Sequence, residues 1–353
     1  MQDVHLPDLR EQEPLQPLNT LALPATARYF VRVGRCEQLP AVQRWALARD
    51  LPLLVLGGGS NVVLAGDWPG VVLQVGFKGR RVTADPDAAD SVLLEVAAGE
   101  NWHELVQWTL RQGLYGLENL TLIPGTVGAA PIQNIGAYGV ELSDRLVSVR
   151  FWSWADGRER IMTAAECELG YRDSIFKHAL RDAGVITAIT LRLGRTSCPV
   201  VTYPVLRDAL TAEQARDARA VEHAIQVIRQ SKLPDPAHLP NAGSFFKNAV
   251  IPAAQFHELS RHWPGIPGYV GTDAAGNPTV KVPAAWLVEK AGWKGRRVGG
   301  IAVHDRQALV LVHHGGGSGR ALLDMAAAIQ SDVEQQFGIV LELEPRVYGS
   351  FAS

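Results

Sequence analysis

The chain has 353 residues, 47% of them hydrophobic and 20% charged, with a formal net charge of −2. That length accommodates two or three domains with real cores, and so even a charge balance argues against nucleic acid as a general partner. No apolar run reaches the ~18–20 residues needed to span a bilayer, so no membrane insertion is expected, and three scattered cysteines, Cys36, Cys167 and Cys198, fit no metal spacing.

Residues 1–20 are rich in Pro, Gln, Glu and Asp and read as an exposed lead-in without a basic-then-apolar signal pattern. With the sparse cysteines, this predicts a reducing, cytoplasmic setting. A strand is expected at residues 27–33, a helix at 39–49 and a buried strand at 51–56, together a small α/β unit. Gly57-Gly-Gly-Ser-Asn61 follows directly, and successive backbone N–H groups in such a turn can form a nest for phosphate oxygens. It is not a Walker loop, because no Gly-Lys-Ser/Thr follows, and Val62-Val-Leu64 continues apolar instead of opening a helix. A plain tight turn is the competing reading of this segment.

Strands are expected at residues 70–77 and 91–98. Residues 101–112 predict an amphipathic helix, with Trp102, Leu105, Val106 and Leu110 at helical spacing. After Pro124 comes the most distinctive stretch, Gly125-Thr-Val-Gly-Ala-Ala-Pro-Ile-Gln-Asn-Ile-Gly-Ala-Tyr-Gly139. Four glycines in fifteen residues suit neither a helix nor a flat strand, and they allow backbone to approach something large, flat or charged. Two glycine-rich loops in one half of the chain point to a ligand with a pyrophosphate and a ring system. Strands at 146–154 and 185–193 complete one α+β body to about residue 195.

A second amphipathic helix is expected at 218–230. It runs into Ser231-Lys-Leu-Pro-Asp-Pro236, where two prolines stop any helix and mark a domain boundary. Beyond it the expected elements are a helix at 284–290, strands at 301–303 and 308–312, a helix at 321–337 and a strand at 340–343. His313-His-Gly-Gly-Gly-Ser-Gly319 reads as a flexible strand-to-helix turn.

Three segments could carry chemistry. Tyr171-Arg-Asp-Ser-Ile-Phe-Lys177 places a guanidinium among aromatics, where its planar fork could hold a carboxylate; a surface ion pair is an equal reading of the motif alone. In Asn241-Ala-Gly-Ser-Phe-Phe-Lys-Asn248 a serine stands between glycine and two bulky rings. No Gly-x-Ser-x-Gly elbow is present, which disfavours a hydrolase nucleophile, but such a hydroxyl can give its proton to a carbanion. Leu341-Glu-Leu-Glu-Pro-Arg-Val-Tyr-Gly349 puts Glu342 and Glu344 two apart, hence on one face of the expected strand; an exposed edge with a Glu–Arg pair is the bland alternative.

Taken together, these segments resemble the UDP-N-acetylenolpyruvoylglucosamine reductase (MurB) family. The resemblance rests on Leu56–Asn61, Gly116–Tyr138, Tyr171–Ser174, Lys232–Pro236, Asn241–Asn248, Lys281–Leu287, Gly299–His304 and the Glu344 region, in order over nearly the whole chain. Val201-Thr-Tyr203 before a helix is similar to the type I form, whose extra loop brings a tyrosine over the substrate. Glu344-Pro-Arg346 stands where the family usually has Glu-Val-Arg, and residues 269–281 are longer than usual.

The resemblance implies an α+β chain: a two-lobed FAD-binding body of the vanillyl-alcohol-oxidase (PCMH) type plus a C-terminal α+β substrate-binding domain. Residues 1–80, completed by 344–353, would form the first FAD-binding subdomain. Residues 81–233, with the tyrosine loop near 201–215, would form the second, and 234–343 the substrate domain. It implies non-covalent FAD, NADPH as co-substrate, and reduction of UDP-N-acetylglucosamine enolpyruvate to UDP-N-acetylmuramate for peptidoglycan synthesis by a monomer. Arg172 and Glu344 would stabilise the enolate and Ser244 would supply the proton. FAD contacts would fall to Gly57, Gly58, Gly59, Ser60, Asn61, Pro124, Gly125, Thr126, Gly128, Ala130, Gly136, Ala137, Tyr138 and Arg346, and substrate contacts to Tyr203, Lys232, Asn248, Tyr269, Lys281 and Gln307, with no metal. Another flavin oxidoreductase of the same fold and a non-catalytic nucleotide-sugar sensor are the competing functions. The Asn-Ala-Gly-Ser-Phe-Phe block speaks against an oxidase, and the Arg172, Ser244 and Glu344 set against a sensor.

Overall fold

The expected strand–helix–strand run is present as Thr26–Val33, Leu39–Leu47 and Leu53–Leu56. The helix buries Leu39, Val42, Trp45 and Ala46, the spacing of a single apolar stripe. Both strands pair in parallel with Trp68–Val75, as a helical crossover requires. The structure, a computed structural model, describes residue 6, residues 8–273 and residues 275–349. Packing divides the chain into two units. The first is drawn from Met1–Glu13, Ala27–Gly59 and Trp68–Ser231; the second is drawn from Pro14–Thr26, Ser60–Asp67 and Lys232–Ser353.

In the first unit the four-stranded sheet has the order Arg10–Pro14, Thr26–Val33, Trp68–Val75, Leu53–Leu56. A five-stranded antiparallel sheet runs Arg158–Thr163, Leu146–Ser153, Gly184–Gly194, Ser91–Ala97, Arg80–Ala84. Strict alternation in Ser91–Ala97 sends Val92, Leu94 and Val96 into the core. They meet Ile189, Leu191 and Leu193 of the long central strand in one continuous cluster. The helix Trp102–Arg111 begins at Asn101, whose side chain accepts the Glu104 amide, an N-cap worth about 1 kcal/mol. It buries Trp102, Leu105, Val106 and Leu110. A separate small cluster of Leu206, Val221 and Ile225 ties the helix Pro204–Asp208 to the helix Ala218–Lys232.

The second unit carries a four-stranded sheet, Asn241–Ser244, Val310–His313, Ile301–Val303, Arg297–Val298, and a three-stranded one, Ala249–Pro252, Pro278–Val282, Tyr269–Thr272. The helix Gly319–Phe337 packs Leu322, Met325, Ala326, Ile329, Val333 and Phe337 into their common core. A Cβ on its first residue, Gly319, would lie 1.9 Å from the Leu64 carbonyl oxygen, so only glycine lets the helix start touch that strand. Val62–Leu64 pairs in parallel with Arg346–Tyr348. Among the described residues, no helix is long and apolar enough to cross a membrane.

Three expectations are corrected. Residues 340–343 are not a strand: only Leu343 makes a bridge, to Phe246, and the strand follows Pro345 as Arg346–Tyr348. The lead-in is not simply exposed, because Arg10–Pro14 is an edge strand and Leu6 and Leu15 are buried; residues 1–5 and 7 lie outside the described residues. Glu342 and Glu344 do not share a strand face, as described below. The packing boundary falls at Ser231/Lys232, and the C-terminal strand joins residues 62–64 within the second unit; residues 350–353 lie outside the described residues.

Candidate active site

The two glycine loops of the first unit touch. A Cβ on Gly57 would meet Thr126 Oγ1 at 2.5 Å, and one on Gly58 would meet the Gly125 Cα at 3.1 Å. Gly59 and Gly125 take positive φ, 63° and 115°, which glycine alone adopts freely. Pro124 is exposed at the rim. The second loop is clamped to the start of the Trp102–Arg111 helix: the Gly125 carbonyl accepts from Trp102 N–H at 3.1 Å, and Val127 N–H donates to the Glu100 carbonyl at 2.9 Å. Not every residue matched by motif faces outward. Gly128 packs against Ala98, where a Cβ would stand 2.5 Å from its methyl, and the Ala130 side chain is 2% exposed in the core. Ser60 and Asn61 belong to the second unit, where the Asn61 carbonyl accepts from Arg346 N–H at 3.1 Å.

Gly136–Ala137 forms a short hairpin with Val140–Glu141. Arg172 reaches it: its Nη2 donates to the Gly136 carbonyl at 2.6 Å, and a Cβ on Gly136 would lie 3.0 Å from Nη1. Arg172 itself has φ 52°, at the tip of a turn bridged from Gly170 to Asp173. Lys177 Nζ donates to its carbonyl at 3.1 Å, so the lysine of this motif secures the arginine's backbone. Tyr138, at φ 50°, meets Tyr203 edge-on with ring centroids 5.4 Å apart. Burial pushes the Tyr138 phenol above its ordinary range, so it stays neutral. Asn119 donates to both the Tyr138 and Val200 carbonyls, at 2.9 and 2.8 Å, and so bolts the tyrosine loop to the glycine loop.

In the second unit Ser244 ends the strand Asn241–Ser244 opposite Val310. Gly243 before it has φ 70°, and Phe245 and Phe246 after it are buried. The Glu344 amide donates to the Phe245 carbonyl at 2.9 Å, which sets the carboxylate-bearing segment beside Ser244. Glu344 is half-buried. Glu342, by contrast, has a 71% exposed side chain and pairs with Lys247 at 2.8 Å. Arg346 follows on the last strand, its Nη1 3.2 Å from the Tyr348 hydroxyl.

Tyr269 and Lys281 stand directly opposite each other in the three-stranded sheet, and Val250 flanks Lys281 on the other side. Asn248 Oδ1 accepts the Ala284 amide at 3.0 Å, at the start of the helix Ala284–Lys290. Gln307 shapes the turn before Val310–His313, its carbonyl accepting the Val310 amide at 3.0 Å. Lys232 is exposed at the end of the helix Ala218–Lys232. The cysteines stand apart from this machinery; burial pushes the Cys167 thiol up to about 11, the value of an inert thiol.

Sequence reasoning missed several residues that shape these loops. Asn134 is fully buried at φ 43° and fastens the second glycine loop to the Gly170 carbonyl at 3.0 Å and to Glu141 at 2.8 Å. His103, Glu222 and Arg229 surround residues 121–122. Only the Asn in Pro-Ile-Gln-Asn carried a local signal, since asparagine tolerates the left-handed region.

The glycine loops fit a dinucleotide: two touching turns of positive φ, free of bulky side chains, with aromatic and guanidinium groups at their edge. Residues 27–163 match an FAD-binding domain family, and residues 235–348 match the C-terminal domain of UDP-N-acetylenolpyruvoylglucosamine reductase. The UDP-N-acetylenolpyruvoylglucosamine reductase of Paraburkholderia phytofirmans is 50% identical over 336 residues, 94% of this chain and 95% of its own. That of Burkholderia multivorans is 49% identical over 347 residues, 96% of each chain. The crystal structure of the Thermus caldophilus reductase aligns with a TM-score of 0.64 at 23% identity, over 97% of this chain and 98% of that one, and so shares the fold.

Proposed function

The chain belongs to the UDP-N-acetylenolpyruvoylglucosamine reductase family, and from that membership we propose how its residues divide the reaction. It is an FAD-binding oxidoreductase, a UDP-N-acetylmuramate dehydrogenase of peptidoglycan synthesis. When bound, FAD would supply the hydride transfer from NADPH to the enolpyruvyl methylene carbon, redox chemistry that side chains cannot supply. The glycine loops at 57–61 and 124–138, with Arg346, hold the cofactor without a covalent link, since 125–139 contains no His or Cys. Arg172 grips the substrate carboxylate, and with Glu344 stabilises the charge that develops as the adjacent carbon becomes an enolate; preorganised groups of this kind are usually the largest catalytic term. Ser244 Oγ gives its proton to that carbon. The observation that carries the proposal is the Glu344–Phe245 backbone bond, which brings the segment bearing Glu344 next to the one bearing Ser244. Tyr203, Lys232, Asn248, Tyr269, Lys281 and Gln307 bind the sugar nucleotide. In this reading the enzyme is a cytoplasmic monomer.

The first test is the cofactor. The purified protein is expected to be yellow and to release intact FAD on denaturation; a colourless protein that takes up no added FAD overturns the reading. Turnover of UDP-N-acetylglucosamine enolpyruvate with NADPH then tests the activity. Lys232→Ala is expected to raise KM much more than it lowers kcat, as for binding energy shared by ground and transition states. An unchanged KM in steady-state assays makes Lys232 an ordinary exposed charge.

A further inference from the structure

Leu122 sits two residues before Pro124 with φ 55°, a conformation that a leucine adopts only when its surroundings impose it. Two helices impose it here. His103, on the helix Trp102–Arg111, takes the Leu122 N–H at Nδ1, 3.2 Å away. Arg229, on the helix Ala218–Lys232, donates from Nη2 to the Leu122 carbonyl at 3.2 Å. The neighbours are held as well: the Trp102 indole donates to the Leu120 carbonyl at 3.0 Å, and buried Thr121 donates to Glu222 Oε1 at 2.7 Å. Because the Thr121 proton is committed to Glu222, His103 Nδ1, 3.2 Å from Thr121 Oγ1, is left as the acceptor for the Leu122 amide.

We propose that His103 is a positioning residue for the cofactor: as a neutral imidazole it holds the left-handed turn at Leu122 and thereby presets the Pro124–Thr126 part of the flavin loop. The inference rests on the FAD-binding reading above. The same histidine that caps the turn lies next to Trp102, whose amide clamps Gly125 from the other side, so one helix turn grips the loop at both ends. Protonation at Nδ1 converts the acceptor into a donor. Thr121 Oγ1 can accept the new bond, but the Leu122 amide then faces an N–H instead of a lone pair. The charged groups around the ring are Glu222 and Arg229 on the facing helix and Glu104 on its own. Burial outweighs the two carboxylates and pulls the His103 pKa below its ordinary value. With the folded value depressed, the support is fully present above about pH 6.5 and is lost as pH falls below that through the folded value.

The test follows release of FAD from the diluted holoenzyme by flavin fluorescence, between about pH 5 and pH 8. Wild-type release is expected to accelerate on the acid side. His103→Leu, which orphans the part-buried Leu122 amide, is expected to release FAD about tenfold faster or more at the alkaline end. His103→Asn keeps an acceptor on the first atom beyond Cγ but cannot titrate, so it is expected to match wild type at the alkaline end and to stay flat through the acid range. Release from His103→Leu at the wild-type rate, or acid acceleration in His103→Asn equal to wild type, overturns the proposal; if His103→Leu does not fold, the His103→Asn profile decides alone. A wild-type protein without FAD would instead overturn the cofactor reading, whereas wild-type holoenzyme with a flat profile overturns only the role of His103.

Discussion

Ser244→Ala is expected to separate the two half-reactions. Oxidation of NADPH needs no proton delivered to carbon, so its rate in stopped-flow should stay near wild type. Reduction of the enol ether needs one, and it should slow by about 10²–10⁴-fold, the usual cost of a removed proton-transfer group. Ser244 itself is half-buried, between a left-handed glycine and two fully buried rings. Ser244→Cys should recover part of the rate, since a thiol also donates. If Ser244 only completes the pairing with Val310, both variants will lower the melting temperature and spare the second half-reaction, and that outcome removes it from the mechanism.

Glu344→Gln is expected to lower kcat by about 10²–10³-fold, the range for loss of a single preorganised electrostatic group, with little change in fold. Glu342→Gln is the matched control. Its carboxylate is 71% exposed and paired with Lys247, an arrangement worth about 0–1 kcal/mol, so its kcat should remain close to wild type. The spacing to Gly349 favours Glu344 over Glu342, although a strand would have turned both carboxylates to the same side. The chain instead makes one bridge at Leu343 and bends at Pro345, which separates their environments. A large loss in Glu342→Gln with a silent Glu344→Gln would reverse the assignment.

The regular elements were legible where one period dominates. The helix near 101–112 and the strand near 91–98 expose their buried faces in the sequence because Trp102, Leu105 and Leu110, or Val92, Leu94 and Val96, recur at a fixed step. Arg10–Pro14 was not legible, because an edge strand takes charges and proline that otherwise read as loop. Residues 340–343 misled in the opposite sense, alternating like a strand ahead of a proline that redirects the chain. The glycine loops announced a ligand, but their mutual contact, Gly57 to Thr126, spans a sequence distance that no local pattern reports. The named catalytic roles came from family resemblance. His103 could not be found at all, since beside Trp102 it reads as an ordinary polar position on an amphipathic helix, and its meaning lies in the backbone it faces.

The parallel pairing of Val62–Leu64 with Arg346–Tyr348 has a consequence for biosynthesis. Leu64 and Arg346 are 282 positions apart (346 − 64), and residues 14–26 and 60–67 also belong to the second unit. Those early segments emerge from the ribosome long before Arg346–Tyr348, the strand that pairs with Val62–Leu64. At roughly 5–20 residues per second, they wait about 15–60 s for it. Throughout that interval Val63, fully buried in the finished protein, lacks its pairing partner Val347, so this stretch of the nascent chain stays unpaired until residues 346–348 are translated.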